Sequence, residues 1–198
     1  MKVTPFSTHY WRSIWGSVHL LICLYDEPLL HVDLKLVALP DLAQRVKDPQ
    51  VLWQVGTRVS DLLQTTRAQY PPAPSLQWVE DRFWIWVHYA ATKLGRGELL
   101  EVVSFLDYLR SAVFGPLLAQ HHHARARGVR KLEQVVTEAE LALVAATLVR
   151  YGRPSCAAGL RQAIACYRTL RRTDSPSGFV EKTKVEQRAL AYLDAVAS

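Results

Sequence analysis

Three prolines in the six residues Tyr70 to Ser75 (YPPAPS) constrain this chain more than any other feature, because so proline-rich a segment sustains neither a helix nor a paired strand. The chain reads differently on its two sides. Before the prolines, short apolar runs alternate with turn residues; after them, apolar residues recur at three- and four-residue spacing almost to the end. The division predicts an α+β fold in two parts. Residues 1–70 form a small α+β domain with a partial mixed or antiparallel sheet, and residues 76–198 form a C-terminal helical bundle.

In the first part, Val18 to Tyr25 (VHLLICLY) and Leu29 to Leu39 (LLHVDLKLVAL) read as two strands joined at Asp26-Glu27-Pro28, a hairpin. Side chains alternate across a strand, so the second run puts His31, Asp33 and Lys35 on one face and Val32, Leu34 and Leu36 on the other, which is expected to pack inward. Charged outward residues are also the ordinary mark of a half-exposed strand. What singles out Asp33 is its place in the middle of a strand, where aspartate has poor propensity.

The remainder of this part reads as an irregular aromatic stretch or short helix from Pro5 to Gly16, a short helix from Asp41 to Lys47 closed by Asp48-Pro49, a brief strand Val51 to Val55, and a helix Val59 to Gln69. Beyond the prolines, Leu76, Val79, Phe83, Trp86, Ala90 and Leu94 make one helical stripe, with Ser75 as N-cap and Gly95 as terminator. A second helix runs from Gly97 to Leu118, interrupted or ended near Gly115-Pro116. A loop at His121 to Gly128 precedes helices at Thr137 to Arg150, Ser155 to Arg172 and Phe179 to Val196.

With 198 residues and 49% apolar composition, the chain has the material for a real core. Four of its six tryptophans, Trp53, Trp78, Trp84 and Trp86, are expected to pack the junction between sheet and first long helix. The net charge of +6 suits an anionic partner, but no regular basic stripe with interleaved aromatics is present, which ranks a phosphate-bearing small ligand above nucleic acid. Cys23, Cys156 and Cys166 lack CxxC spacing and read as free thiols of a reducing compartment. No apolar leader opens the chain and no window reaches the roughly 20 apolar residues of a membrane span, so the expectation is a cytoplasmic protein with no membrane partner.

The run LLICLYDEPLLHVDLKLVALPDLAQRVKDPQVLW, followed by FWIWVHYAATKLGRGELLEVVSFLDYLR, resembles the second half of bacterial nucleotidyltransferase-fold proteins related to the aminoglycoside adenylyltransferases. In that family a Gly-Ser turn and an Asp-x-Asp pair precede a third Asp on a later strand, and a helical domain covers nucleotide and acceptor. The resemblance implies that Asp33 in HVDLK is the third carboxylate, a metal ligand or general base. It implies Mg²⁺ and ATP as cofactors and a small-molecule hydroxyl or amine as acceptor. Lys93 and Arg96 in KLGRGE, which end the first long helix, become candidate phosphate contacts, and Glu98 a candidate acceptor-orienting catalytic residue. The same three residues also make good helix-end chemistry, cations at a C-terminus and an acid in the next first turn.

The departure from the family is specific. No Asp precedes Asp26, and Gly16-Ser17 is followed by no acidic pair at the required distance. Hard Mg²⁺ is typically held by two or more carboxylates with phosphate oxygens, so this polypeptide by itself is expected to be weak or inactive. A non-enzymatic interaction module is the alternative, with a sheet edge left by missing strands covered in a homodimer. Arg82 and His88 in RFWIWVH resemble the Arg-x4-6-His signature of helical ribonucleases from toxin–antitoxin systems, although six positions do not share a helix ridge. His121-His122-His123 reads as a basic surface loop, since three consecutive residues cannot all face one ion from a regular helix and no acid or cysteine flanks them. No phosphate-binding Gly-rich loop, G-x-S-x-G elbow or H-E-x-x-H helix is present.

Overall fold

A computed structural model describes the backbone of residues 3–13, 16–26 and 28–197, and the side chains within those ranges from residue 20 onward. The chain is α+β and divides into two compact units, Met1–Pro71 and Pro72–Ser198, with the division inside the proline-rich segment.

The first unit is a three-stranded antiparallel sheet in the order β1 (Val3–Ser13), β2 (Gly16–Tyr25), β3 (Leu30–Leu36), followed by the short helices α1 (Leu39–Leu42) and α2 (Arg58–Thr65). The β2–β3 hairpin is present, with Ile22 opposite Asp33 and Cys23 opposite Val32. Where a helix was one reading of Pro5 to Gly16, β1 is a strand. As an edge strand it tolerates Pro5, whose missing N–H falls at the register shift between Pro5 and Thr8. No strand forms at residues 51–55. Gln54 instead folds onto Ser60 at the start of α2, its Nε2 donating to Ser60 Oγ at 2.6 Å and its Oε1 accepting from Ser60 N at 3.2 Å.

The apolar face of β3 packs only in part. Cys23 is buried and Val32 half-buried, but Leu34 and Leu36 are exposed, as are Leu52, Trp53 and Val55. Trp53 is 81% exposed, while Trp84 is a core residue of the helical unit. The expected helix at 41–47 stops at Leu42, because Arg45 turns inward. Its Nε reaches Asp48 Oδ1 at 2.6 Å, and its other nitrogens donate to Thr66 Oγ1 at 2.6 Å and Thr66 O at 2.8 Å, tying the loop to the end of α2.

The second unit is built around α3 (Leu76–Gly95), capped by Ser75, whose side chain accepts from Trp78 N at 3.2 Å. Leu76, Val79, Phe83, Ala90 and Leu94 are buried as the spacing predicts, and Trp84, Val87 and Ala91 join them, so α3 buries a wider face than one stripe. Trp86 is only partly buried. Around α3 lie α4 (Leu99–Leu109), α5 (Gly115–His121), α6 (Glu138–Ala145), α7 (Arg153–Asp174) and α8 (Thr183–Ala197).

Helices α4 and α5 are one continuous rod. Pro116 lacks an N–H and would crowd a carbonyl four residues back, and the chain accommodates it by widening Arg110–Phe114 into a π-turn in which Gly115 N bonds to Arg110 O. Gly115 is required for a second reason: a Cβ there would stand 2.3 Å from Gly128 O. The rod Leu99–His121 is long and apolar enough by composition to cross a membrane, contrary to the sequence expectation, but more than half of it is buried inside the bundle.

Candidate functional site

Asp33 sits in the middle of β3 with its side chain 51% exposed, and its Oδ1 lies 3.0 Å from His31 Nε2. Alternation brings the two to one face, as expected. The register sets Leu24, Ile22 and Leu20 of β2 opposite His31, Asp33 and Lys35, so this face pairs a row of ionisable groups with a row of aliphatics. A shallow hollow of about 490 Å³ in the same unit is lined by Leu39, Pro40, Arg58, Asp61, Leu62 and Thr65 and does not include Asp33.

Lys93, Arg96 and Glu98 form one cluster where α3 gives way to α4. Lys93 Nζ is 2.7 Å from Glu98 Oε2, and Arg96 Nε is 2.7 Å from Glu98 Oε1. The turn at Gly97, with φ +76°, makes the approach possible. The hydrogen bond from Lys93 holds the Glu98 carboxyl below the ordinary carboxylate range, and the same bond holds Lys93 above the ordinary lysine range. Both candidate phosphate contacts thus already share one carboxylate.

Beside that cluster runs a chain of aromatic rings on α3 and α4. Trp78 meets Trp86 edge-on at 5.7 Å, Trp86 meets Tyr108 at 5.7 Å, Tyr108 stacks on Phe105 at 6.0 Å, and Phe105 contacts Tyr89 at 5.9 Å. Arg82 lies over Trp78 at 4.3 Å and Lys93 over Tyr89 at 5.2 Å, so a cation stands at each end. Trp78, Tyr89 and Tyr108 are exposed. Of this row the sequence reading singled out only Trp78 and Trp86, as junction packing; Tyr89, Phe105 and Tyr108 join them by recurring at helical spacing on α3 and α4.

Arg82 and His88 have separate partners. Arg82 Nη1 donates to Trp78 O at 3.0 Å, and the His88 ring lies 4.7 Å from that of Tyr192.

The histidine run falls differently from the expected loop. His121 is the last residue of α5 and His122 its C-cap. His121 Nδ1 is 2.7 Å from Asp174 Oδ1, and His122 Nε2 is 2.8 Å from Glu140 Oε2. Neither acid flanks the run in sequence, so spacing could not reveal them.

Among the described residues the most buried charged side chain is Glu80, 1% exposed, on the inner face of α3. Its Oε1 accepts from Trp84 Nε1 at 3.1 Å, Lys182 N at 2.8 Å and Arg171 Nη1 at 3.2 Å, and its Oε2 accepts from the Tyr167 hydroxyl. Burial and the neighbouring Glu80 charge push the Tyr167 phenol far above its ordinary range. Arg171 is also paired with Glu186 at 2.9 Å, so the network is satisfied throughout and closes α3, α7 and α8 on one another. Its role is structural. No family model matches the chain, and no curated protein sequence matches it.

Proposed function

We propose that the chain is a nucleotidyltransferase-like protein, acting in transfer of a nucleoside monophosphate from ATP to a hydroxyl or amine of a small, aminoglycoside-like acceptor. In such a transfer the acceptor oxygen or nitrogen bonds to the α-phosphorus, pyrophosphate leaves, and a carboxylate such as Asp33 takes the acceptor's proton. The observation that carries the reading is Asp33 itself: an ionisable, half-exposed carboxylate retained mid-strand in an antiparallel sheet, in a chain whose next unit is a helical bundle. Taken by itself within the helical unit, the aromatic row on α3 and α4 is the kind of surface on which a base or a sugar ring stacks.

Among the described residues, Asp33 has no companion carboxylates that would make a Mg²⁺ site. Asp33 is one carboxylate paired with a histidine, and Mg²⁺ in a transfer site needs more than that. The chain on its own is therefore a nucleotide-binding but weakly active or inactive transferase, complete only when further carboxylates join Asp33. Equilibrium dialysis with ATP and MgCl₂ tests this. Binding by the wild type that falls at least several-fold in Asp33→Asn supports the reading. Equal retention by both proteins, or rapid AMP transfer by the chain alone, contradicts it.

A second reading rests on the apolar surface of the sheet unit, where Leu36, Leu52, Trp53 and Val55 are each more than two-thirds exposed. Such a surface suits a non-enzymatic interaction module or a homodimer. Sedimentation velocity separates the two readings: a dimer that Trp53→Ser converts to monomer, in a protein that does not retain ATP, favours the second.

A further inference from the structure

Outside the residues assigned to nucleotide transfer, one cluster has the chemistry of a transition-metal site. A ring nitrogen of His121, a ring nitrogen of His122 and a carboxylate oxygen of Glu140 all lie within 4.8 Å of one another. The three come from two elements: the end of α5 supplies both histidines, and the first turn of α6 supplies the acid.

From these residues we infer that His121, His122 and Glu140 bind a borderline divalent transition ion, with Zn²⁺ the best match, and leave a fourth position for water. Two imidazoles and one carboxylate are a donor set suited to Zn²⁺ and poorly suited to Mg²⁺ or Ca²⁺, which take all-oxygen shells. A tetrahedral zinc centre with bonds of about 2.0–2.2 Å sets its ligand atoms roughly 3.3 Å apart. His122 Nε2 already lies against the Glu140 carboxylate, 2.8 Å from its Oε2, and rotation of the imidazoles brings their nitrogens to ligand separation from Oε1.

Three features beyond proximity favour an ion. Asp174 Oδ1 stands against His121 Nδ1, the arrangement in which a carboxylate orients a histidine whose other nitrogen ligates. Glu140 is held in place by the capping box of α6: Thr137 N and Thr137 Oγ1 both donate to Glu140 Oε2 at 2.8 Å, which leaves Oε1 for an ion. The histidines also stand at the C-terminal end of α5, where the helix dipole favours a cation. All four side chains are partly exposed, at 21–35%, so the site is open to solution.

The bland alternative is that the two pairs are ordinary ion pairs pinning α5 to α6 and α7. Co²⁺ absorption spectroscopy and Zn²⁺ calorimetry on the full chain distinguish them. The wild type is expected to take up one Zn²⁺ per chain and to give visible Co²⁺ bands of a four-coordinate nitrogen–oxygen centre. His122→Ala and Glu140→Gln should each weaken Zn²⁺ binding at least 10-fold, and Asp174→Asn about 10-fold through the orientation of His121. Glu140→Gln keeps an oxygen for the capping box, so its helix content should stay at the wild-type value and its loss of metal would not report unfolding. His123→Ala should bind as the wild type does. Equal Zn²⁺ affinity in wild type and His122→Ala, or an equal loss in His123→Ala, would overturn the site, the latter marking the histidine run as a non-specific surface chelator.

Discussion

Removing the carboxylate of Glu80 should damage the helical unit more than any surface substitution. In Glu80→Ala the indole N–H of Trp84, the hydroxyl of Tyr167 and the backbone N–H of Lys182 all lose their acceptor, while Arg171 keeps Glu186 at 2.9 Å. Trp84 and Tyr167 are buried, so water cannot replace the lost oxygen. Each orphaned buried donor costs about 1–3 kcal/mol, and dismantling a buried charged network costs about 3–5 kcal/mol. We take roughly 4 kcal/mol as the expected loss, a large share of the ~5–15 kcal/mol that stabilises a typical domain. For a unit of this size that is a fall in Tm of roughly 10–15 °C. Glu80→Gln retains an acceptor oxygen for Trp84 and Lys182 and offers its amide to the Tyr167 oxygen, so it should cost only about 1–2 kcal/mol. Urea unfolding followed by tryptophan fluorescence, with the buried Trp84 as reporter, measures both. A loss below about 1 kcal/mol in Glu80→Ala would refute the view that this network joins α3, α7 and α8.

Gly115→Ala should be among the most damaging single-methyl additions, since its Cβ meets a backbone oxygen that has no rotamer to yield; differential scanning calorimetry should show a fall of several degrees or more. Burial pushes the Cys166 thiol up to about 12, and all three cysteines are buried, so the native protein should resist thiol reagents at pH 8 and react only when urea unfolds it. Thr137→Ala should cost about 1 kcal/mol at neutral pH through loss of the α6 capping box. Because the folded-state carboxyl of Glu140 is held low, its contribution is present above the ordinary glutamate range and lost as pH falls through the folded value; the gap between wild type and Thr137→Ala in urea unfolding should therefore narrow at acid pH.

How much of this was legible beforehand depends on how local the signal is. Ser75 and Thr137 act through backbone groups three residues away, and both helix starts were read from sequence. The β2–β3 hairpin was legible because alternation and a turn suffice to specify it. Three things were not. The strand β1 hides behind Pro5, which reads as a breaker unless the position of the bulge is known. Arg45 looks like a surface residue of a short helix, and only the distant Thr66 makes it a buried tie. The His–Glu and His–Asp pairs join residues 18 and 53 positions apart, beyond the reach of any spacing rule. At the sequence-predicted site, Lys93, Arg96 and Glu98 come together because one tight turn at Gly97 links two helices, again a local event.

The claim that the exposed face of β3 meets a nucleotide is tested most directly by paramagnetic broadening in NMR spectra of the full chain with ATP and substoichiometric Mn²⁺. The account predicts that the amide signals of His31, Asp33 and Lys35 broaden first, and that Asp33→Asn abolishes the effect at the other two. Broadening confined to His121, His122 and Glu140, with β3 untouched, would contradict it.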